Sequence, residues 1–248
     1  MQAAQQLTGY LRVYRSLAGF LSKDERLLRE WHRELRTERR LHESLTGKWA
    51  AQRRLPLRRV GGNIGVYNEV LYLFVRAARP KIMVETGVAY GFSSAYILQA
   101  LSDNGVGELY SIDLPNTNPE GYVSEGGFID HTFVASEELT GLVVPDALRD
   151  RWHLGLGSSR QLLPNLLSEL GSIDIFFHDS DHSKQNVTFE LTEAWSHLVP
   201  GGVVISDDIP VSDAFDSFCG RYGSTPFRWF GPRGRMGAFY KPTTGVRL

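Results

Sequence analysis

Apolar and polar positions recur with helical spacing at the start of the chain. Leu7, Leu11, Tyr14, Ala18 and Leu21 are separated by fours and threes, the stripe of an amphipathic helix. Ser22 stands where it can cap a second helix, in which Leu27, Leu28, Trp31 and Leu35 continue the pattern among Arg and Glu. Such stripes must be covered. The plain expectation is two helices packed on the rest of the chain or on a second subunit, which would make a homo-oligomer through these helices. Peripheral membrane contact, with Arg12 and Arg15 flanking apolar residues, and a lid over a site are the alternatives. From Gly61 a linker leads to a helix over residues 67–78, whose core face is Val70, Leu71, Phe74 and Val75 and which ends before Pro80.

Beyond Pro80 the spacing switches to short apolar runs alternating with helical segments. Runs at 82–84, 109–113, 152–156, 173–177 and 203–206 read as strands, that at 173–177 as a buried one. Helices are expected after Gly91, over 145–151 (short), 161–170, 182–198 and 214–222. On the helix from 182, Val187, Leu191, Ala194, Trp195 and Leu198 share one face, and Pro200-Gly201-Gly202 forms a turn into the next strand. Residues 116–132, rich in Gly, Pro, Asn and Ser, read as a long loop. Strands at 227–230 and 236–240, joined through Gly231-Pro232-Arg233-Gly234, make a hairpin at a sheet edge. Strand–helix alternation of this kind builds a parallel sheet with helices on both faces.

Composition changes this picture little. The 248 residues, 42% of them hydrophobic, are enough for one large core with an appendage. A single cysteine, Cys219, excludes an internal disulfide framework and a thiolate zinc cluster, so a reducing, cytoplasmic location is expected. No apolar run reaches the ~20 residues of a membrane span. The net charge of −1 hides an asymmetry: residues 1–60 hold 14 Lys/Arg against 6 Asp/Glu, and the remainder is acidic. An acidic body argues against nucleic acid as a partner.

Chemistry enters at the first strand. Glu85-Thr86-Gly87-Val88-Ala89-Tyr90-Gly91 is Glu-x-Gly-x-x-x-Gly directly after an apolar run, and the second strand ends in Asp113. Glycine lets a backbone approach a ligand closely, and a carboxylate about 20 residues further on can bind both hydroxyls of a ribose. A dinucleotide site would want a glycine where Ala89 stands. The motif resembles motif I of class I S-adenosylmethionine-dependent methyltransferases, and the Pro200–Gly202 segment followed by a strand and a terminal hairpin resembles the later part of that fold. The resemblance covers residues 60–242. It implies a doubly wound, Rossmann-like, mostly parallel seven-stranded sheet with a terminal antiparallel hairpin, preceded by helices. The chain would then divide into a helical extension (1–60) and an S-adenosylmethionine-binding domain (61–248). By the same resemblance Glu85, Gly87, Ala89 and Gly91 frame the methionine and ribose of the cofactor, Asp113 binds the ribose, and Gly157 and Ser158 lie beside the adenine. Relatives often carry an acid where this chain has Ser158-Ser159.

Two further segments bring ionisable groups to the same sheet edge. His178-Asp179-Ser180-Asp181-His182 follows one buried strand and Asp207-Asp208 follows the next. Gathering carboxylates is unfavourable unless a cation or substrate compensates, and oxygen donors suit Mg²⁺, Mn²⁺ or Ca²⁺. Asp179-x-x-His182 with Asp207-Asp208 resembles metal-dependent O-methyltransferases of the macrocin type. The resemblance implies Asp179, Asp207 and Asp208 as cation ligands, Asp179 also beside the cofactor, and His182 as general base. The expected substrate is a small-molecule hydroxyl, such as that of a sugar or natural product. A nicotinamide-linked oxidoreductase and a non-catalytic scaffold are the competing classes. Asp181 or Ser183 can cap the helix that follows, and Trp195 reads as core.

Overall fold

The computed structural model describes residues 13–50, 66–118, 122–123, 129–130, 134–223, 225–231 and 234–243. Leu7, Leu11, Arg12, the linker from Gly61 and the Pro232-Arg233 turn lie outside the described residues. Each short apolar run forms a strand: β1 (Ile82–Thr86), β2 (Glu108–Asp113), β5 (Trp152–Leu156), β6 (Ile173–His178) and β7 (Leu198–Ser206), followed by β8 (Phe227–Gly231) and β9 (Gly234–Tyr240). Residues 116–132 are not loop throughout, because β3 (Tyr122–Val123) pairs antiparallel with β4 (Ile129–Asp130). The main sheet has seven strands in the order β5-β2-β1-β6-β7-β9-β8. All its pairings are parallel except those of β9, which runs antiparallel to both β7 and β8.

Both faces of the sheet are covered, as continuous apolar strands require. One face carries helical residues 13–21 (α1), α2 (Glu25–Thr37), α3 (Arg39–Ala50), α4 (Val66–Ala78) and α5 (Phe92–Asn104). Their buried Leu17, Leu28, Leu35 and Leu41 join Phe74, Leu98 and Phe177 in a single core. The opposite face carries α6 (Ser159–Leu170), α7 (Lys184–His197) and α8 (Ala214–Tyr222), packed around Leu163, Leu191, Phe176 and Phe215. The stripe Tyr14, Ala18 and Leu21 is therefore covered by this chain's own body.

Several expectations shift. Asp24, not Ser22, caps α2, its carboxylate accepting from Arg26 N at 2.7 Å, while Ser22 sits at φ 51 in the turn that ends α1. A third N-terminal helix, α3, buries only Leu41 and Leu45, a stripe too sparse to stand out among its charges. Helix α7 begins at Lys184 with Ser183 as its cap, the hydroxyl accepting from Asn186 N, so His182 lies in the preceding turn. Pro200-Gly201-Gly202 is not a separate turn. Strand β7 runs through it, and its register against β6 slips between Ile173 and Ile175, with Gly201 at φ 81 absorbing the irregularity.

Candidate active site

The carboxyl ends of β1, β2, β6 and β7 meet along one edge, and short backbone bonds tie their loops together. Asp179 N donates to Thr86 O at 2.8 Å, and Asp207 N donates to His178 O at 2.9 Å. The loop after β6 is thus held to the tip of β1 on one side and to the tip of β7 on the other.

The glycine turn between β1 and α5 explains itself through the protein's own backbone. Gly87 adopts φ +87, and a Cβ there would lie 2.0 Å from the Asp179 carbonyl oxygen. Gly91 adopts φ +86 at the start of α5, and a Cβ there would lie 2.7 Å from Gly141 Cα. The close approach anticipated for a ligand is made first by the Asp179 and Gly141 main chains. Ala89 is the third left-handed residue of the turn, at φ 48.

Glu85 lies beneath the turn, fully buried. Its oxygens accept from Ser93 and Ser94 at 2.7 Å and from Ser111 at 2.8 Å. Burial raises its pKa to about 7 despite the three hydroxyls. In this structure the carboxylate joins β1, β2 and α5 behind the turn. Asp113 Oδ1 accepts from Val88 N at 2.8 Å, tying the end of β2 to the same turn. Gly157 N donates to Asp113 O at 2.7 Å, and Ser158 stands at the N-cap position of α6, so of the two residues expected beside an adenine Gly157 is bonded to Asp113 and Ser158 follows it.

The second cluster sits against this turn. Among the described residues, Asp179, His182 and Asp207 each offer a ligand atom, and these atoms lie within 4.8 Å of one another. His182 Nε2 is 4.0 Å from Asp179 Oδ1 and 3.9 Å from Asp207 Oδ2. Burial and then the charge of Asp207 push the Asp179 carboxyl well above its ordinary range. Two partly buried carboxylates beside an imidazole form a donor set that fits a hard divalent cation, and the buried Asp207 Oδ1 makes no hydrogen bond within the protein. Asp208 is not part of this three-residue group. The chain turns left-handed there, at φ 41, and Asp208 is raised by burial and by Asp207 while Arg235 opposes the shift.

Two residues that sequence reasoning missed complete the site. Tyr67, in the first turn of α4, is buried, and its phenol faces Asp207 and Asp179, whose charges add to burial in raising its pKa. Its position in line with Val70 and Phe74 makes it look like core. Glu190 on α7 is fully buried and accepts from His178 Nδ1 and Ser180 Oγ, each at 2.7 Å, from Asn186 Nδ2 at 2.9 Å, and from Thr86 Oγ1. Its pKa falls to about 2, because His178 and the donors offset the burial that would raise it. The signal that could have revealed it is an acid at position 190 inside the buried stripe Val187, Leu191 and Ala194.

A strap over residues 134–151 backs the glycine turn: Gly141 N donates to Ala89 O at 2.8 Å and Val143 N to Tyr90 O at 3.0 Å. Helix α3 holds the strap in turn, with Ser44 Oγ donating to Val143 O and Lys48 Nζ to Val144 O, each at 3.0 Å. Trp49 packs edge-on against Tyr90 and Phe92 at 5.2 and 5.6 Å.

No curated protein matches the sequence. Solved structures match its fold. An O-methyltransferase of Bacillus cereus in complex with S-adenosylhomocysteine is 20% identical, the alignment covering 83% of this chain and 92% of that one at a TM-score of 0.54. TomG of Streptomyces achromogenes, an O-methyltransferase involved in tomaymycin synthesis and bound to S-adenosylmethionine, is 18% identical over 82% and 90%, with a TM-score of 0.55. A methyltransferase of Podospora anserina bound to S-adenosylhomocysteine is 15% identical over 80% and 88%, with a TM-score of 0.53. The profile of a methyltransferase-domain family matches residues 84–209, from the middle of β1 to just past the Asp207-Asp208 pair. With that match over half the sequence, the chain belongs to the methyltransferase-domain family.

Proposed function

We propose that the protein is an S-adenosylmethionine-dependent O-methyltransferase that needs a divalent cation, Mg²⁺ or Mn²⁺, and acts on a hydroxyl of a small molecule such as a sugar or natural product. The observation that carries this reading is the convergence of Asp179, His182 and Asp207 within 4.8 Å: the first two lie on the loop after β6, whose backbone abuts the Gly87 turn, and Asp207 follows β7. The O-methyltransferases among proteins of the same fold support it.

When bound, the cofactor supplies an electrophilic sulfonium methyl, and the cation acidifies a hydroxyl coordinated to it. Asp179 and Asp207 hold the cation through their oxygens, so the two charges that repel each other are compensated. Gly87, Ala89 and Gly91 form the turn that seats the methionine and ribose, with Glu85 propping it from below. Asp113 faces the ribose hydroxyls, and Gly157 and Ser158 border the adenine. His182 Nε2 accepts the proton of the acceptor hydroxyl, the general-base role that imidazole fills most often. Gly87, Ala89, Gly91 and Asp113 would hold the cofactor as it supplies the methyl to that oxygen and itself becomes S-adenosylhomocysteine. Placing acceptor and methyl side by side supplies much of the acceleration. Asp208 acts from outside the first set of ligands, near Arg235.

Calorimetric titration with S-adenosylhomocysteine and with Mn²⁺ tests the reading directly. Both are expected to bind the wild-type chain, Asp207→Asn to lose Mn²⁺ binding, and His182→Ala to keep it while losing turnover on an acceptor found among sugar and polyketide hydroxyls. Full activity after EDTA treatment overturns the cation, and loss of Mn²⁺ binding in His182→Ala makes the imidazole a ligand instead of the base.

A further inference from the structure

We propose that Glu190 is a positioning residue that holds the methyl-donor turn and the cation loop as one unit, an inference that rests on the function proposed above. Glu190 touches no reacting atom. Its carboxylate lies behind the site, at 0% exposure, on the buried face of α7. One oxygen accepts from Thr86 Oγ1, the last residue of β1 before the Gly87 turn, and from His178 Nδ1 at 2.7 Å, the last residue of β6. The other accepts from Ser180 Oγ at 2.7 Å and from Asn186 Nδ2 at 2.9 Å. Asn186 also donates to the Asp181 carbonyl at 3.1 Å, so the network grips the loop on both sides of Asp181.

The loop held in this way carries Asp179 and His182. Asp179 is flanked by two residues bonded to Glu190, His178 and Ser180, and its own backbone is fixed to Thr86 O. The His178 ring packs edge-on against His182 at 5.2 Å between centroids, so orienting one imidazole limits the tilt of the other. A carboxylate with four donors around it has no slack. A buried polar hub that is fully satisfied on one side rigidifies whatever its partners carry. Thr86 extends the same hub to the cofactor side, where Gly87 meets the Asp179 carbonyl.

Groups bonded directly to metal ligands change affinity about 10- to 100-fold when lost. Glu190 acts one residue further out, through His178 and Ser180 on either side of Asp179, so the lower end of that range is expected. The test compares wild type with Glu190→Gln and Ser180→Ala, using Mn²⁺ titration followed by electron paramagnetic resonance and calorimetry with S-adenosylhomocysteine. Glu190→Gln keeps the side-chain shape but forces one oxygen to become a donor facing donors, so Mn²⁺ affinity is expected to fall about tenfold. Ser180→Ala removes a single strut next to Asp179 and is expected to weaken Mn²⁺ less, in the same direction, and serves as the measurement if Glu190→Gln does not fold. Thr86→Val cuts the other arm and is expected to weaken S-adenosylhomocysteine more than Mn²⁺. Folded variants, with wild-type circular dichroism, that bind both ligands as wild type does would overturn the positioning role. A wild-type chain that binds neither ligand would instead refute the proposed function itself.

Discussion

Replacing Gly87 with alanine measures how tightly the donor turn and the acid loop are packed. Two separate costs are expected. The backbone at Gly87 is left-handed, at φ +87, which costs an L-residue about 1–2 kcal/mol. The new Cβ would also lie 2.0 Å from the Asp179 carbonyl oxygen and 2.4 Å from its carbon. Those are main-chain atoms, so no side-chain rotation relieves the overlap. Asp179 is pinned besides by its bond to Thr86 O at 2.8 Å. Overpacking of this sort adds about 1–3 kcal/mol, giving a total near 2–5 kcal/mol. Gly105→Ala is the control: its φ is +68, but nothing lies within 4 Å of a Cβ there, so it should show the backbone cost alone. Urea denaturation reads both. With a slope of about 1–3 kcal/mol/M, Gly87→Ala should unfold at a midpoint lower by roughly 1–3 M, and Gly105→Ala by clearly less. If the two variants prove equally destabilised, the contact between turn and acid loop is not as tight as the geometry requires.

Glu85→Gln carries a pH signature. The native carboxyl titrates near 7 against an ordinary value of 4.5, so the folded state holds its proton more tightly and stability falls as pH rises between those values. The variant's advantage over wild type should be smallest near pH 4 and grow to the order of 3 kcal/mol by pH 8, and an identical gap at both ends would refute the assignment. Tyr67→Phe keeps the ring against Trp229 at 6.1 Å but removes the phenol facing Asp207, and should weaken Mn²⁺ about tenfold while leaving S-adenosylhomocysteine affinity unchanged in calorimetry. Leu28→Ala empties a fully buried position in the core that α2 shares with the sheet, and should destabilise the whole protein by about 2–5 kcal/mol in one cooperative transition. A separate early transition in thermal melts would show that the N-terminal helices fold by themselves.

The fold was legible wherever the pattern of burial is simple. Strands buried on both faces read as continuous apolar runs, and β1 and β6 stand where those runs are, whereas the edge strand β5 is half-exposed along its length. Glu85, Gly87 and Asp113 could be located because they sit at the junctions of these runs. What the sequence hides is direction. Asp207 and Asp208 are adjacent acids, yet only Asp207 belongs to the three-residue group, and the chain is left-handed at Asp208. His182 joins Asp179 and Asp207 because α7 starts later than its apolar stripe implies, leaving that residue in a turn. Glu190 and Tyr67 sit on stripes that otherwise mark core, where one polar atom among apolar neighbours is easily overlooked. Only the three-dimensional arrangement shows that both face the edge where the loops converge.

The grip of α3 on the strap behind the donor turn has a practical consequence. Ser44 and Lys48 bond to carbonyls of Val143 and Val144, and that strap bonds to Ala89 and Tyr90. A shortened protein beginning at residue 61 would keep every residue expected to meet cofactor, cation or acceptor. It would nonetheless leave Val143, Val144 and one side of Tyr90 facing water and would strip Leu17, Leu28 and Leu35 from the core, so its affinity for S-adenosylhomocysteine and its stability should fall together. Substitutions at Ser44, Lys48 or Trp49 would do the same from a distance, and an activity screen that varied only pocket-lining positions would never sample them.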